Sequence, residues 1–420
     1  MFRFTLSILL VTMTLSAFAA SDCAAQAGLW DARLDSPGGA IRFVLKLEHD
    51  QQNDSWSAWL INGPEEIEVP RVDVTGDGEV TLAIEHYDST LKLKTVPKTG
   101  NDEMKLVGNW KKRRKSDEWV EMNFNASPHV KADSKSTKVS SAFDGRWHVK
   151  FSSSDDPAVG IFKATSDTST LGGTFLTTTG DYRFLSGAAT DSEMELSCFD
   201  GAHAFLFKAK LESDGSLVGD FWSSNTWHET WSATKDSKAE IADAFELTKA
   251  TASSINALSF PDLNGKQTRL DAEEFAASVR LVHIFGSWCP NCHDAAIYLA
   301  ELKTKYGDDI SIVGIAFELT GDMKRDAEQV RKYLKRHKLD HPVLIGGTSS
   351  KTEASKAVTI IDKVRSYPTT IFADSTGKII AIHQGFSGPA TGSAYEKLRL
   401  KFESTINGVL QTGQSQNSKK

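Results

Sequence analysis

The sequence predicts a multidomain protein, with an N-terminal all-β region of two repeated antiparallel sandwich or barrel units followed by a C-terminal α/β domain. Three observations carry this. At 420 residues the chain exceeds what one ordinary core organises. From about residue 28 to 234 apolar and polar residues alternate with the period of strands. Beyond about residue 255 buried apolar strands alternate with amphipathic helices.

The N-terminus, "MFRFTLSILLVTMTLSAFAASDC", combines Arg3, an apolar run from Thr5 to Leu15 and a small-x-small site at Ala17-Phe18-Ala19. That is the pattern of a secretory signal peptide over residues 1–20, so an exported protein is expected, periplasmic in a Gram-negative source. Retention of the segment as an anchor is the other reading. The apolar run is shorter than the ~20 residues a spanning helix needs, so no transmembrane span is expected in the mature chain. Asp22 before Cys23 does not suit lipid attachment at that cysteine.

The first β unit is assigned to 24–127, a linker to 128–141 and the second β unit to 142–234. "GLW" at Gly28 is echoed by "GRW" at Gly145, and "LVGNW" at Leu106 by "LVGDFW" at Leu217. The linker, "SPHVKADSKSTKVSS", is polar and apolar-poor. Nine of the ten tryptophans fall in this region, which leaves two readings open: aromatic strands lining a ligand cavity, or large rings filling the cores. The basic run "KKRRK", Lys111 to Lys115, reads as a solvated hairpin tip. With 48 basic against 55 acidic residues and a net charge of −7, the chain offers no field for phosphate backbones, and nucleic acid is excluded as a partner.

Residues 235–254 read as a connector, 255–412 as the α/β domain and 413–420 as a disordered tail. Within the domain "SVRLVHIFGSW", "ISIVGIAFE" and "HPVLIGG" are buried strands, "DAAIYLAELKTKYG" and "DMKRDAEQVRKYLKRHKLD" are helices, and "YPTTIFADSTGKIIAIHQGF" is a hairpin before a last helix.

Four cysteines are present. In an exported chain Cys23 and Cys198 are candidates for a structural disulfide, with geometry unreadable from sequence. Cys289 and Cys292 form a single C-x-x-C in "GSWCPNCHD", which without a second paired motif is half a zinc site, so no metal is expected. Behind a buried strand and at a helix N-terminus, the first cysteine meets the positive end of the helix dipole, which stabilises its thiolate. The second, one turn on, can attack a mixed disulfide and release the partner reduced. Pro290 opens the helix without wasting an N–H, and Asn291 leaves the dipeptide neutral.

From "LVHIFGSWCPNC" through "SYPTT", over about residues 255–412, the chain resembles the thioredoxin superfamily and, within it, the TlpA-like, redoxin-type exported thiol-disulfide reductases. The resemblance rests on Trp288 before the C-x-x-C, on Tyr367-Pro368-Thr369 at the place of the family's cis-proline loop, and on a helix-bearing insertion at Asp322 to Asp340. It implies a thioredoxin-like fold, Cys289 as nucleophile, Cys292 as resolving thiol and Pro368 as the residue that faces the disulfide and holds substrate backbone. It does not extend to the β units. Where many of these reductases carry C-x-x-C-x-x-E-x-P, this chain has Ala295 and Ile297, so a proton acceptor has to be sought elsewhere.

Two residues are candidates. His283, six before Cys289, shares a strand face with Phe285 and Ser287, and is either a proton shuttle beneath the cysteines or a buried histidine satisfied by the backbone. Glu318 ends "IVGIAFE" at the functional edge of a parallel strand, and is either a buried carboxylate able to take the proton of Cys292 or a solvated or helix-capping acid. His293 and Asp294 read as first-turn structural residues. "GFSGPATGSAY" lacks the lysine and spacing of a P-loop and reads as a shaped loop.

The expected function is reduction of disulfides in other exported proteins. No flavin or nicotinamide motif occurs, so no cofactor is expected and a membrane dithiol reductase is the expected electron donor. A disulfide oxidase or isomerase, a thiol peroxidase, and a ligand- or protein-binding β module with a regulatory thioredoxin-like domain are the alternatives.

Overall fold

The computed structural model describes residues 25–97, 103–130, 140–165 and 170–417, with side chains to residue 413. The expected signal peptide, Cys23 and most of the linker lie outside the described residues.

The first β unit contains β1 (Gly28–Ser36), β2 (Gly39–Asp50), β3 (Ser55–Asn62), β4 (Glu65–Glu68), β5 (Arg71–Val74), β6 (Glu79–Ile84), β7 (Ser89–Val96), β8 (Lys105–Arg113) and β9 (Trp119–Pro128). They form one antiparallel sheet in the order β4-β3-β2-β1-β9-β8-β7-β6-β5. The sheet stays open. Its two four-residue edge strands follow one another in the chain across Pro70, whose missing N–H suits an unpaired edge.

The second unit contains β10 (Gly145–Phe151), β11 (Ala158–Ala164), β12 (Leu171–Thr177), β13 (Gly180–Asp181), β14 (Leu185–Ala189), β15 (Glu193–Phe199), β16 (Ala204–Leu211), β17 (Leu217–Ser223) and β18 (Trp227–Lys235). Here β11 pairs with both β10 and β12, so the sheet closes into a barrel, with β13 folded back on β12 as a hairpin. The repeat read from sequence is a repeat of register. Trp30 and Trp147 are buried on the first strands and donate their indole N–H to the carbonyl four residues earlier, Gln26 and Phe143. Gly108 and Gly219 stand opposite Leu93 and Ala209 on matching hairpins.

Aromatic rings fill the barrel. Phe175, Phe207 and Phe221 stack in sequence at 4.4 and 4.3 Å, with Trp231 edge-on to Phe175. Of the two readings of the tryptophan-rich region, core filling is the one found inside this barrel. Cys198 lies in that core as a free thiol, and its candidate partner Cys23 lies outside the described residues. The open unit completes its core with its neighbour, because Phe199, Ala202, Ala204 and Leu206 of the barrel belong to the hydrophobic cluster of the first unit. The two β units thus share one body of apolar packing. The basic run only partly forms a turn: Lys111 to Arg113 lie in β8, and Lys112 donates to the carbonyl of Ala202 at 2.9 Å.

An irregular connector leads to a short hairpin, β19 (Ser259–Pro261) and β20 (Gln267–Arg269), and to a five-stranded sheet of β21 (Val279–Phe285), β22 (Ile310–Glu318), β23 (Val343–Thr348), β24 (Thr369–Asp374) and β25 (Ile379–Gln384). The order is β23-β22-β21-β24-β25, with β21, β22 and β23 parallel and β24 and β25 antiparallel. Four helices flank it: α1 (Pro290–Tyr306), α2 (Met323–His337), α3 (Lys351–Ala357) and α4 (Ser393–Asn417). Every residue of β21 is buried, as expected for a strand covered on both faces. The last helix runs to Asn417, five residues past the expected end of the domain, with Phe402 and Ile406 anchoring it in the core. The expected disordered tail from residue 413 is corrected to that extent.

Candidate active site

The strand-to-helix turn after β21 carries the dithiol. Gly286 is required there, since a Cβ would strike the indole of Trp288, which folds back to donate its N–H to the carbonyl of Phe317 at 2.9 Å. Cys289 is the N-cap residue of α1 and Pro290 occupies its first turn. The backbone N–H groups of Cys292 and His293 both donate to the carbonyl of Cys289, at 3.0 and 3.3 Å, which winds the second cysteine one turn in. The Tyr367–Pro368 peptide bond is cis, and the thiol of Cys289 donates to the carbonyl of Tyr367 at 3.5 Å. The structure thus joins Cys289, Cys292, Trp288, Pro290, Asn291, Tyr367 and Pro368 in one site.

Cys292 has no exposed surface. Burial, then the hydrogen bond and charge of Cys289, push its thiol well above the usual range, so it is a thiol at neutral pH and has to lose its proton in order to react. Glu318 is buried under the turn, its carboxylate accepting the backbone N–H of Ser287 at 2.8 Å and the Ser287 hydroxyl at 2.7 Å. Burial raises its pKa to about 7 against the opposing pull of those two hydrogen bonds. The charge of Glu318 also acts on Cys292. A solvated acid at this position is therefore excluded.

His283 is placed differently. It stacks on Phe285 at 5.4 Å, and its Nδ1 meets the hydroxyl of Thr370 at 3.3 Å. Its Nε2 is buried without a partner, and burial lowers its pKa to about 3. Among the described residues no hydrogen bond connects it to either sulfur.

Residues 221–398 match the family model described as Redoxin, a match that opens within β17 and runs through the dithiol and the cis-proline loop. The C-terminal domain is a redoxin. A thioredoxin-like protein of Bacillus subtilis (strain 168), YneN, is 26% identical over 127 residues, which are 30% of this chain and 67% of that protein. Among solved structures, a thiol-disulfide oxidoreductase from Bacteroides fragilis NCTC 9343 is 24% identical, spanning 34% of this chain and 98% of its own, with a TM-score of 0.27. The thioredoxin domain of a thiol-disulfide oxidoreductase from Bacteroides vulgatus is 22% identical, spanning 36% of this chain and 98% of its own, with a TM-score of 0.27. The redoxin domain has a thioredoxin-like fold.

Several residues around the redoxin dithiol were not singled out as functional from the sequence. His293 donates from Nε2 to the carbonyl of Ser287 at 2.8 Å, because a carbonyl can only accept. In the neutral ring Nδ1 is then the acceptor, and the Nε2–H of His337 donates to it. Tyr87 and His86 of the first β unit pack on the same imidazole, at 4.5 and 4.8 Å between ring centroids. Asp294 does not merely favour the helix dipole. Its carboxylate pairs with Arg183 of the barrel, which also pairs with Glu65 of the first unit and approaches Asp200 at 3.6 Å. Nothing in the sequence around Arg183 marks it as a site residue.

Proposed function

We propose that this protein is an exported reductase of disulfides in other exported proteins. The observation that carries the reading is the carboxylate of Glu318, buried beneath a C-x-x-C whose first thiol touches the cis-proline loop. The Cys289 thiolate attacks one sulfur of the partner disulfide, forming a mixed disulfide and releasing the partner's other sulfur as a thiolate. Glu318 takes the proton of Cys292, and the Cys292 thiolate attacks the Cys289 sulfur. The partner leaves with two electrons more, and a Cys289–Cys292 disulfide remains. A dithiol donor, for which a membrane reductase is the proposed source, restores the pair. The leader-like N-terminus supports export, and the lack of a peroxidase-type lone cysteine supports dithiol chemistry.

The equilibrium reduction potential of the Cys289–Cys292 pair, followed by thiol alkylation in dithiothreitol buffers, tests the direction. A value at or below about −250 mV is expected of a reductant. One near about −120 to −180 mV would mean that the pair oxidises or isomerises disulfides instead.

The role of Glu318 has its own test. Glu318→Gln keeps one acceptor and one donor for Ser287 but cannot take a proton, so turnover with a disulfide substrate falls several-fold at pH 8. Folding raises this carboxyl's pKa, so its contribution to stability is fully present below the usual carboxylate range and is lost as pH rises through about 7. Ionising it in the folded state at pH 8 costs up to about 3 kcal/mol, which the glutamine avoids. The Tm of the variant at pH 8 is therefore at or above that of the wild type. Unchanged turnover would remove Glu318 from the mechanism.

A further inference from the structure

The dithiol does not stand open on the redoxin surface. All five residues from Cys289 to His293 are buried, with Cys289 retaining 7% of its surface and Asn291 8%. The cover is made by the β units. The hairpin tip between β12 and β13 lies on the middle of the C-x-x-C, where the amide of Asn291 donates to the carbonyls of Asp181 and Phe386, both at 3.4 Å. Gly180 at that tip has φ +148°, and a Cβ on it would run into the Asn291 amide. Beside it Gln384 donates to the carbonyl of Thr178 at 2.9 Å, the Gly388 N–H donates to the Asp181 carboxylate, and Arg183 holds Asp294. From the first unit the turn Glu85–Tyr87 closes the other flank. Tyr87 packs on His293, the side chain of Gln329 donates to the carbonyl of Glu85 at 2.6 Å, and Asp88 pairs with Arg325.

The composition of this contact differs from that between the β units. The two β units share an apolar core, whereas the large clusters of the redoxin domain contain no residue of either β unit. Across the cover the contacts are hydrogen bonds, ion pairs and ring edges. Among the described residues only a small cluster of Val159, Leu176 and Ala239, with Ile161, Ile241 and Ala394 against it, bridges the two bodies at the connector. A polar contact of this kind is the sort that separates and reforms, while an apolar core is not.

We propose that the paired β units act as a size-selective cover, with Asp181, Arg183 and Tyr87 as specificity-determining residues. Small disulfides and disulfides on extended segments reach Cys289 along the flank of Trp288, which is only half-buried, and folded proteins are excluded unless the cover lifts. This rests on the reading of the dithiol as a disulfide-exchange site and assigns its substrate class. A bulky partner reacts at a rate scaled by the fraction of molecules that are open.

The test uses the full chain reduced with dithiothreitol. Alkylation of Cys289, located by peptide mass mapping, is timed with N-ethylmaleimide and with a poly(ethylene glycol) maleimide, which share one chemistry and differ in bulk. In the folded protein the small reagent is favoured by at least about tenfold more than in the same protein unfolded in urea. Gly180→Ser lifts the hairpin from Asn291 without changing a charge, and Tyr87→Ala opens the other flank. Each moves the ratio several-fold toward the unfolded value, with near-ultraviolet circular dichroism retained as the check on folding. A wild-type ratio equal to the unfolded one overturns the proposal, as does a wild-type ratio retained in both variants. Exchange with oxidised glutathione is read separately. A protein that keeps the ratio yet exchanges with no disulfide overturns the reductase reading and not the cover.

Discussion

Replacing Cys289 by serine abolishes disulfide exchange, lowering the rate with any disulfide substrate by at least about a thousandfold. A hydroxyl at the N-cap of α1 remains protonated at neutral pH and cannot form the sulfur–sulfur bond on which the next step depends. Replacing Cys292 by serine has a different outcome. The first attack survives, because the Cys289 thiol and its contact with the carbonyl of Tyr367 are untouched. The mixed disulfide then has no internal thiol to resolve it, so the partner accumulates as a covalent adduct on Cys289. Mass spectrometry of each variant after incubation with oxidised glutathione reads both outcomes at once. An adduct on the Cys289→Ser protein at Cys292 would reverse the assignment of nucleophile and resolving thiol, against the complete burial of Cys292.

The second large effect lies at Arg183. Its guanidinium is buried against the carboxylates of Glu65, Asp200 and Asp294, one from each of the two β units and one from the redoxin domain. Arg183→Met fills most of the volume and leaves three buried carboxylates without their shared cation, a loss of about 3–5 kcal/mol for breaking a buried ion cluster. The effect depends on pH in a defined sense. Burial raises the Glu65 pKa to about 7 and that of nearby Asp181 to about 6, so these groups favour folding when protonated and oppose it as pH rises through those values. Asp200 is the exception: despite burial it is held well below the usual range by His203 and Arg183, and stays ionised. The variant therefore loses more at pH 8 than at pH 5, where Glu65 is already neutral and needs no counter-charge. Thermal unfolding at the two pH values measures this. An equal loss at both would show that Arg183 acts through packing alone.

The residues that make the dithiol were legible because their signals are local. A helix start, a strand end and a C-x-x-C are each specified by neighbours within a few positions, and Gly286, Trp288, Cys289 and Pro290 build one turn between β21 and α1. Glu318 was legible as a candidate for the same reason, since a parallel strand carries its last residue to the edge where the next helix begins. Burial decided between the two readings of that acid, and burial is set by what packs above the turn. For His283, strand alternation placed the ring on a face but not beside a sulfur, and Thr370 from the adjacent strand β24 became its partner.

By itself, then, the sequence determined two β repeats, an α/β domain and the strand-to-helix turn that carries the dithiol, all of them products of short-range periodicity and capping. Only the tertiary structure decided that one unit closes into a filled barrel while the other stays open and borrows its core, and that both lie over the cysteines. Those outcomes depend on groups such as Arg183 and Asp294, which stand 111 positions apart and carry no local pattern. Their pairing follows from how whole sheets pack, where burying a charge is tolerated only if a partner of opposite sign arrives with another domain.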